Sequence, residues 1–456
     1  MTGSAAMEIG GETAASVFHY MKEKSHATQQ DIEDFSDVRL GVIDEISFAS
    51  YREMEKISHN LQNYTQCRDY QYGSIDLVIL GDFCQLETIG GDSIYLHPYG
   101  IYWENELNCL VELKGGHRYK NCSFMKTKMS EIRTSGLSDD DRKILNSRVI
   151  GTNGLKMPKC SDTRFATYYN KKRSQINAEI FRNYLKQYHG KCTQTDICDS
   201  AIVIKCNAHW SNLKVPLTYE QRKVLFEEVS EADTKNSSNQ KCDPLLCLFY
   251  GNHLMGNANS DVANGIANGT TGIFKKAHIK ESVILQPIKM HGFWVNAVNV
   301  DDVEFLELEW HDSTRFQGKF RIAPKLSNYV VSFPVSEQGT TVRIKTNIGL
   351  TQFPVVVNCA TTGHKLQGKS MDSLVISEWS NVKNWAYVVI SRVRTLKGLF
   401  FLSPIPKKYD FKPRPQYLEM MERLRSNILA TPEQSILRKK DQKIIEHRCR
   451  ISALFS

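Results

Sequence analysis

The 456-residue chain has no apolar run of about 18 residues, the length that a membrane-spanning helix needs. Its opening stretch, MTGSAAMEIGG, lacks the basic head and apolar core of a secretory signal. None of its 12 cysteines belongs to a CxxC pair, and Cys206, Cys247 and Cys359 sit inside apolar runs. That usage suits free thiols in a reducing compartment. Cys192, Cys198, Cys206 and His209 crowd together in sequence, but their gaps match no common zinc spacing, so zinc is set aside. No charge of one sign dominates. The formal net charge of +8 permits a nucleic-acid partner without demanding one. No solenoid-type repeat appears.

What is present is an ordinary globular composition, 41% hydrophobic and 24% charged. At roughly 100–200 residues per domain the length predicts two to four domains. VRLGVIDEISFA, residues 38–49, reads as a buried β-branched strand ending in two acids. A polar helical stretch from Tyr51 to about Gln66 follows, then a second buried strand in IDLVILGDFCQL. Strand, helix, strand predicts a parallel α/β sheet, with ligand groups at the strands' C-terminal ends. Residues 121–146 read as helical, and a further helix spans about Lys172–Tyr188. DTKNSSNQK, residues 233–241, is polar and turn-rich and predicts a loop or linker. From Leu245 to Lys345, short Val-, Ile-, Phe- and Trp-rich runs separated by Gly, Asn and Asp predict a small all-β module. Alternation then returns: strands in VVVNCATT, LVIS and LKGLFFLS, a helix in NWAYVVISRVR, and a charged, periodic tail after Arg414.

Five segments carry chemistry. Asp44 and Glu45 end an apolar strand, where nucleotide hydrolases hold Mg²⁺ through water and take a proton from the attacking water. The bland alternative is a helix N-cap with an acidic first turn. Gly81-Asp82-Phe83-Cys84-Gln85-Leu86 offers a tight turn and a Gln that can reach a terminal phosphate. Arg118 and Arg392 are guanidinium groups able to neutralise charge built up in phosphoryl transfer, or plain surface ion-pair partners. Finally, Gly363–Ser370 spells a literal phosphate-loop pattern. A true loop opens a helix whose N–H groups meet phosphate. Here Met371-Asp372-Ser373 leads into LVIS, a strand, so that reading is rejected.

In this order the segments resemble the PIF family of superfamily-one DNA helicases, relatives of the RecD-like motors. TGSAAMEIGGETAASVF resembles the family's first DNA-contact motif. VIDEIS resembles its magnesium and general-base motif, and LVILGDFCQL its coupling motif. ELKGGHRYKNCSFMKTKMSEIRTSG is similar to the segment with one arginine finger. LMGNANSDVANGIANGTTGIF is similar to the lead into a small β-barrel insertion. QFPVVVNCATTGHKLQGKS resembles the motif linking single-stranded DNA to ATP, and WAYVVISRVRTLKGLFFL the last motif, with the second finger.

The resemblance implies an α/β fold: two RecA-like parallel-sheet domains, the first incomplete, with a small SH3-like all-β insertion. The corresponding divisions are 1–150, 151–244, 245–345, 346–410 and a helical tail at 411–456. By resemblance Asp44 binds Mg²⁺ through water, Glu45 is the base, Gln85 senses the γ-phosphate, and Arg118 and Arg392 are the fingers. Asp82, Gly368 and Arg394 line the nucleotide. Thr2, Gly3, Ser16, His364, Lys365 and Gln367 lie along the DNA track or its coupling to ATP. The implied activity is ATP- and Mg²⁺-dependent 5′-to-3′ translocation on single-stranded DNA and at duplex junctions. Grip comes from phosphates and base stacking. The family setting implies repair, recombination and telomere maintenance, in the nucleus or else the mitochondrion, with no membrane partner.

The family's phosphate loop belongs ahead of Thr2, so the sequence reads as starting too late to include it, and its first strand with it. That predicts exposed apolar surface and an unpaired strand edge. Ala15, Tyr119 and Leu366 also depart from the family's His, Gln and Ser. Two alternatives stand beside the helicase: a non-catalytic nucleic-acid-binding remnant, and an unrelated ATPase that uses Gly363–Ser370.

Overall fold

The computed structural model describes residues 10–19, 27–88, 91–96, 106–113, 115–158, 162–189, 197–210, 243–261, 264–311, 315–337, 340–407 and 409–428, with a few residues between; over 331–344 the backbone alone is described. The loop expected at 233–241 and the basic tail after residue 428 lie outside these residues.

The first lobe is built on a parallel pair, β1 (Leu40–Ile43) and β2 (Asp76–Ile79), in register from Leu40↔Asp76 to Ile43↔Ile79. Parallel strands need a crossover, and the helix Tyr51–Tyr64 supplies it. That helix starts at Ser50 because Ser50 Oγ accepts from the Glu53 N–H while the Glu53 carboxylate accepts from the Ser50 N–H. Met54, Ile57, Leu61 and Tyr64 recur at helical spacing and are buried with Ile43 and Ile46. The sequence predicts buried strands in a lobe that also leaves apolar surface exposed. In the structure these strands carry that exposed surface: Leu40 and Val42 are 57% and 51% exposed, and Val78 is exposed with them. Ile43, Leu77 and Ile79 turn toward the core, and no described element covers the opposite face.

The helical stretch at 121–146 is two helices, Ser123–Ile132 and Asp139–Asn146. The break falls at Gly136, and Ser138 caps the second helix.

The second lobe opens with β3 (Arg164–Thr167) and the helix Asn170–His189. The chain then enters a region of β structure. β4 (Cys198–Lys205), β6 (Leu245–Phe249), β9 (Gln286–Met290) and β10 (Phe293–Asn299) form one sheet, in the order β6-β4-β10-β9. β7 (His253–Gly256), β8 (Thr271–Ile279), β11 (Val303–Trp310), β12 (Lys319–Ile322) and β15 (Val355–Val357) form an antiparallel sheet, in the order β12-β11-β8-β7-β15. A long hairpin, β13 (Lys325–Glu337) with β14 (Thr340–Gln352), pairs with β5 (Asn207–Trp210). Strands 198–210 therefore share sheets with strands of the 245–345 module, and the hairpin returns as far as Gln352. Leu246, Leu248, Leu254, Leu306, Leu308 and Phe353 give the region a core of its own.

The chain re-enters the second lobe at β16 (Ala360–Thr362), followed by β17 (Leu374–Ile376) and β18 (Leu399–Phe401). With β3 these form an all-parallel sheet, in the order β16-β3-β17-β18. All six residues of the helix Trp385–Ile390 are buried. A single apolar cluster runs from Ile43 and Leu61 in the first lobe to Trp385 and Phe401 in the second. The helix Pro415–Ile428 returns to the first lobe: Tyr417 packs on Phe83 and Tyr95, and Arg414 pairs with Glu87.

Candidate functional site

Glu45 stands two residues past the end of β1 and takes a left-handed backbone conformation, φ +56°, costly for a residue with a β-carbon. Two hydrogen bonds hold it there. The Ile46 N–H donates to the Leu80 carbonyl at 3.0 Å, and the Leu80 N–H donates to the Ile43 carbonyl at 2.8 Å. The two strand ends can close this tightly because residue 81 is glycine. A β-carbon on Gly81 would stand 2.9 Å from the Ile46 nitrogen, and its φ is +154°. Asp44 Oδ1 accepts from the Glu45 N–H at 2.8 Å.

Facing these acids is the turn after β16. Gly363–Leu366 makes one helical turn, with Leu366 in the core, and residues 367–370 run toward the first lobe. Gln367 is buried, and its Nε2 donates to Glu45 Oε2 at 3.0 Å and to Ser47 Oγ at 3.3 Å. Gly368, φ +80°, lies against Glu45, where a β-carbon would sit 3.8 Å from Oε1. Burial raises the pKa of Glu45, and the charge of Asp44 adds to this; the Gln367 hydrogen bond and the charge of Arg392 pull the other way.

Arg118 reaches the same turn. Its Nε donates to Ser370 Oγ at 2.8 Å and its Nη1 to the Ser391 carbonyl at 3.0 Å. Arg392 is 2% exposed. Its Nε donates to the Val388 carbonyl at 2.9 Å, its Nη2 to Ser391 Oγ at 2.7 Å, and its Nη1 to the Lys369 carbonyl at 3.5 Å. Burial first, and then the like charge of Arg118, lower its pKa to about 10, against the opposing pull of Glu45. Glu45, Gln367, Arg118 and Arg392 thus share one patch between the lobes, with the two guanidinium groups tethered to Ser391.

The coupling segment meets the second lobe beside this patch. Asp82 accepts from the Cys84 N–H at 2.9 Å and from the Tyr387 hydroxyl at 3.1 Å, and Arg133 stands 3.6 Å away. Burial and the Asp82 carboxylate raise the pKa of Tyr387 well above its ordinary value. Asn384 Nδ2 donates to the carbonyls of Phe83 and Gln85 at 3.2 and 2.8 Å. Sequence reasoning missed Asn384, Tyr387, Arg133 and Ser391. Only Asn384 left a signal: it is the last polar residue before the buried run Trp385–Ile390, at φ +65°, which Asn tolerates.

The remaining residues singled out by sequence are placed as follows. Arg394 pairs with exposed Asp372 at 2.7 Å. His364 and Lys365 are half-buried on the turn 363–366, and burial lowers the pKa of His364. Ser16 is exposed, and its Oγ donates to Glu12 at 2.7 Å. Its segment is pinned where Asn60 Nδ2 donates to the Phe18 carbonyl at 2.8 Å. Thr2, Gly3 and Cys192 lie outside the described residues. After Ser370 the chain forms a bridge at Met371↔Val393 and then β17, with no helix opening behind the loop-like GKS.

A magnesium nucleotide would find two carboxylates here, Asp44 and Glu45, and two guanidinium groups, Arg118 and Arg392. Among the described residues, the buried Gln85 Oε1 and Gln367 Oε1 find no hydrogen-bond partner. Buried amide oxygens without partners are uncommon and await a donor. This donor and acceptor set fits a terminal phosphate with its attacking water.

A scan against protein-family models and a search of curated proteins find no match. Solved structures do match. The chain is similar to a Pif1 helicase from Bacteroides in complex with ADP-AlF3 and ssDNA, at TM-score 0.61 and 17% identity, over 93% of this chain and 86% of that one. It is similar to Pif1 helicases at a forked duplex DNA, at TM-score 0.60 and 17% identity, over 93% and 85%. It is also similar to the Pif1 helicase of Candida albicans, at TM-score 0.59 and 18% identity, over 93% and 87%. With two parallel-sheet lobes, a β insertion in the second, and acids, amides and guanidinium groups meeting between them, the chain has the fold of the Pif1 helicases.

Proposed function

We propose that this protein belongs to the PIF family and is an ATP-dependent DNA helicase that steps 5′ to 3′ along single-stranded DNA. The observation that carries the proposal is the meeting of Glu45 from the first lobe with Gln367 and Arg392 from the second, beside Arg118. Distant sequence segments converge there on the groups that phosphoryl transfer needs. Mg²⁺ would supply charge neutralisation on the phosphates when bound. Asp44 would hold it through water. Glu45, its proton affinity raised by burial, would take a proton from the attacking water. Arg118 and Arg392 would neutralise the oxygens of the transferring group. Gln367 touches Glu45 and belongs to the segment whose His364 and Lys365 we assign to single-stranded DNA. DNA contact and the base are thus one hydrogen bond apart.

The assay uses two chains: this one, and one with a Gly-rich GKT phosphate loop and its strand joined ahead of residue 1. Single-stranded DNA should bind both, with affinity falling steeply with salt. It should stimulate ATP hydrolysis in the second. Absence of DNA binding by either chain refutes the helicase reading. DNA binding with no hydrolysis by the extended chain favours the non-catalytic remnant.

A further inference from the structure

Away from the nucleotide patch, three side chains with metal-binding chemistry converge where the β region meets the second lobe. His253 opens β7 and is 3% exposed. His311 directly follows β11 and extends its ladder to β8, donating its N–H to the Thr271 carbonyl and accepting the Thr271 hydroxyl. Asp162 lies just ahead of β3, in the parallel sheet. On β8, His253 is opposite Ile273 and His311 opposite Thr271, two residues apart. A strand alternates its side chains, so both imidazoles stand on the same face of the sheet. Their ring centroids are 4.8 Å apart. Asp162 Oδ1 approaches His253 Nε2 at 3.7 Å, and one ligand atom from each of the three lies within 4.8 Å of the others.

We propose that Asp162, His253 and His311 bind one divalent cation of the zinc type, which ties the β region to the parallel sheet of the second lobe. Two imidazoles and one carboxylate are a donor set that zinc takes in three-ligand sites, with water in the fourth position. Zinc–ligand bonds near 2 Å place ligand atoms of a tetrahedral site about 3.4 Å apart. Closing the cluster thus requires a movement of about an ångström. Asp162 and His253 are already near that spacing, so the movement falls on the approach of part-buried His311 and exposed Asp162, while buried His253 stays fixed. Mg²⁺ prefers oxygen ligands and would not compete here. The site stands apart from the nucleotide patch. Asp162 is at the N-terminal end of β3, whereas the nucleotide patch follows the C-terminal end of β16, its parallel neighbour. An ion held there would fix the angle at which the β region leaves the lobe. The inference does not depend on the helicase assignment.

The test is a Zn²⁺ titration of the metal-free, fully reduced chain against a chromophoric chelator, alongside Asp162→Asn and His311→Gln. Both substitutions lie at the margin of the site rather than in its core. One Zn²⁺ per chain should bind, and each substitution should weaken it by at least about tenfold, as loss even of a supporting residue does at zinc sites. Co²⁺ in place of Zn²⁺ should give visible d–d bands without a thiolate charge-transfer band, and Mg²⁺ should not displace it. Failure to take up Zn²⁺, uptake unchanged in both variants, or a thiolate band persisting in them each overturns the proposal. In those cases the three residues form an ordinary ion pair with a ring contact, or the metal sits on cysteine.

Discussion

The hydrogen bond from Gln367 to Glu45 joins the lobes at the proposed general base, and a double-mutant cycle can measure it. A hydrogen bond to a charged group contributes about 1.5–3 kcal/mol, against about 0.5–1.5 kcal/mol for a neutral one. Gln367→Ala removes this bond but also removes the buried Oε1 that has no partner. That orphan itself costs about 1–3 kcal/mol, so the two effects oppose and the single substitution has a small net effect of either sign. The coupling to Glu45→Gln, which keeps shape and loses charge, is the sharper quantity. It should be about 1–1.5 kcal/mol, which is roughly 2–6 °C in the thermal midpoint of a lobe this size. Its pH dependence has a fixed sign. The bond favours the carboxylate, so the coupling is present above the folded-state pKa of Glu45 and fades as pH falls and the group protonates. Midpoints of the four chains at neutral and acid pH provide the assay. Additive midpoints at neutral pH, or a coupling that ignores pH, would refute the argument that this contact reads the charge of the base.

Four further outcomes follow from the same geometry. Glu45→Gln should leave ATP bound and abolish turnover in the loop-bearing chain. Because burial raises the folded pKa of Glu45, its stabilising contribution is full below the ordinary glutamate pKa and lost as pH rises through the folded value, so Glu45→Gln should melt higher than wild type at neutral pH and equally in acid. Arg392→Ala should slow hydrolysis by about 10³–10⁵, the loss typical of an arginine finger, with ATP affinity much less affected; Arg392→Lys, measured alongside with circular dichroism, separates chemistry from the loss of its buried hydrogen bonds. Lys369→Ala should leave ATP binding intact, and loss of binding would revive Gly363–Ser370 as a phosphate loop.

Sequence alone determined the local elements, because the signals that set them are local. The β-branched runs of β1 and β2, the helical stretch from Tyr51 and the apolar run Trp385–Ile390 needed no tertiary partner to be read. The acids at a strand end and the arginines in their segments were legible by residue type and order. What faces what was not. The exposure of Leu40 and Val42 depends on which element covers a sheet face, and a strand's composition does not report it. The pairing of β4 and β5 with strands far along the chain is likewise a long-range choice. The tethering of Arg118 to Ser391, the Asp82–Tyr387 contact and the Asp162–His253–His311 cluster join residues separated by 58 to 305 positions. Hydrogen bonds and ion pairs act over a few ångströms of space. Only the packed fold decides which side chains come that close, and with that which carboxylate is dehydrated and which guanidinium is held.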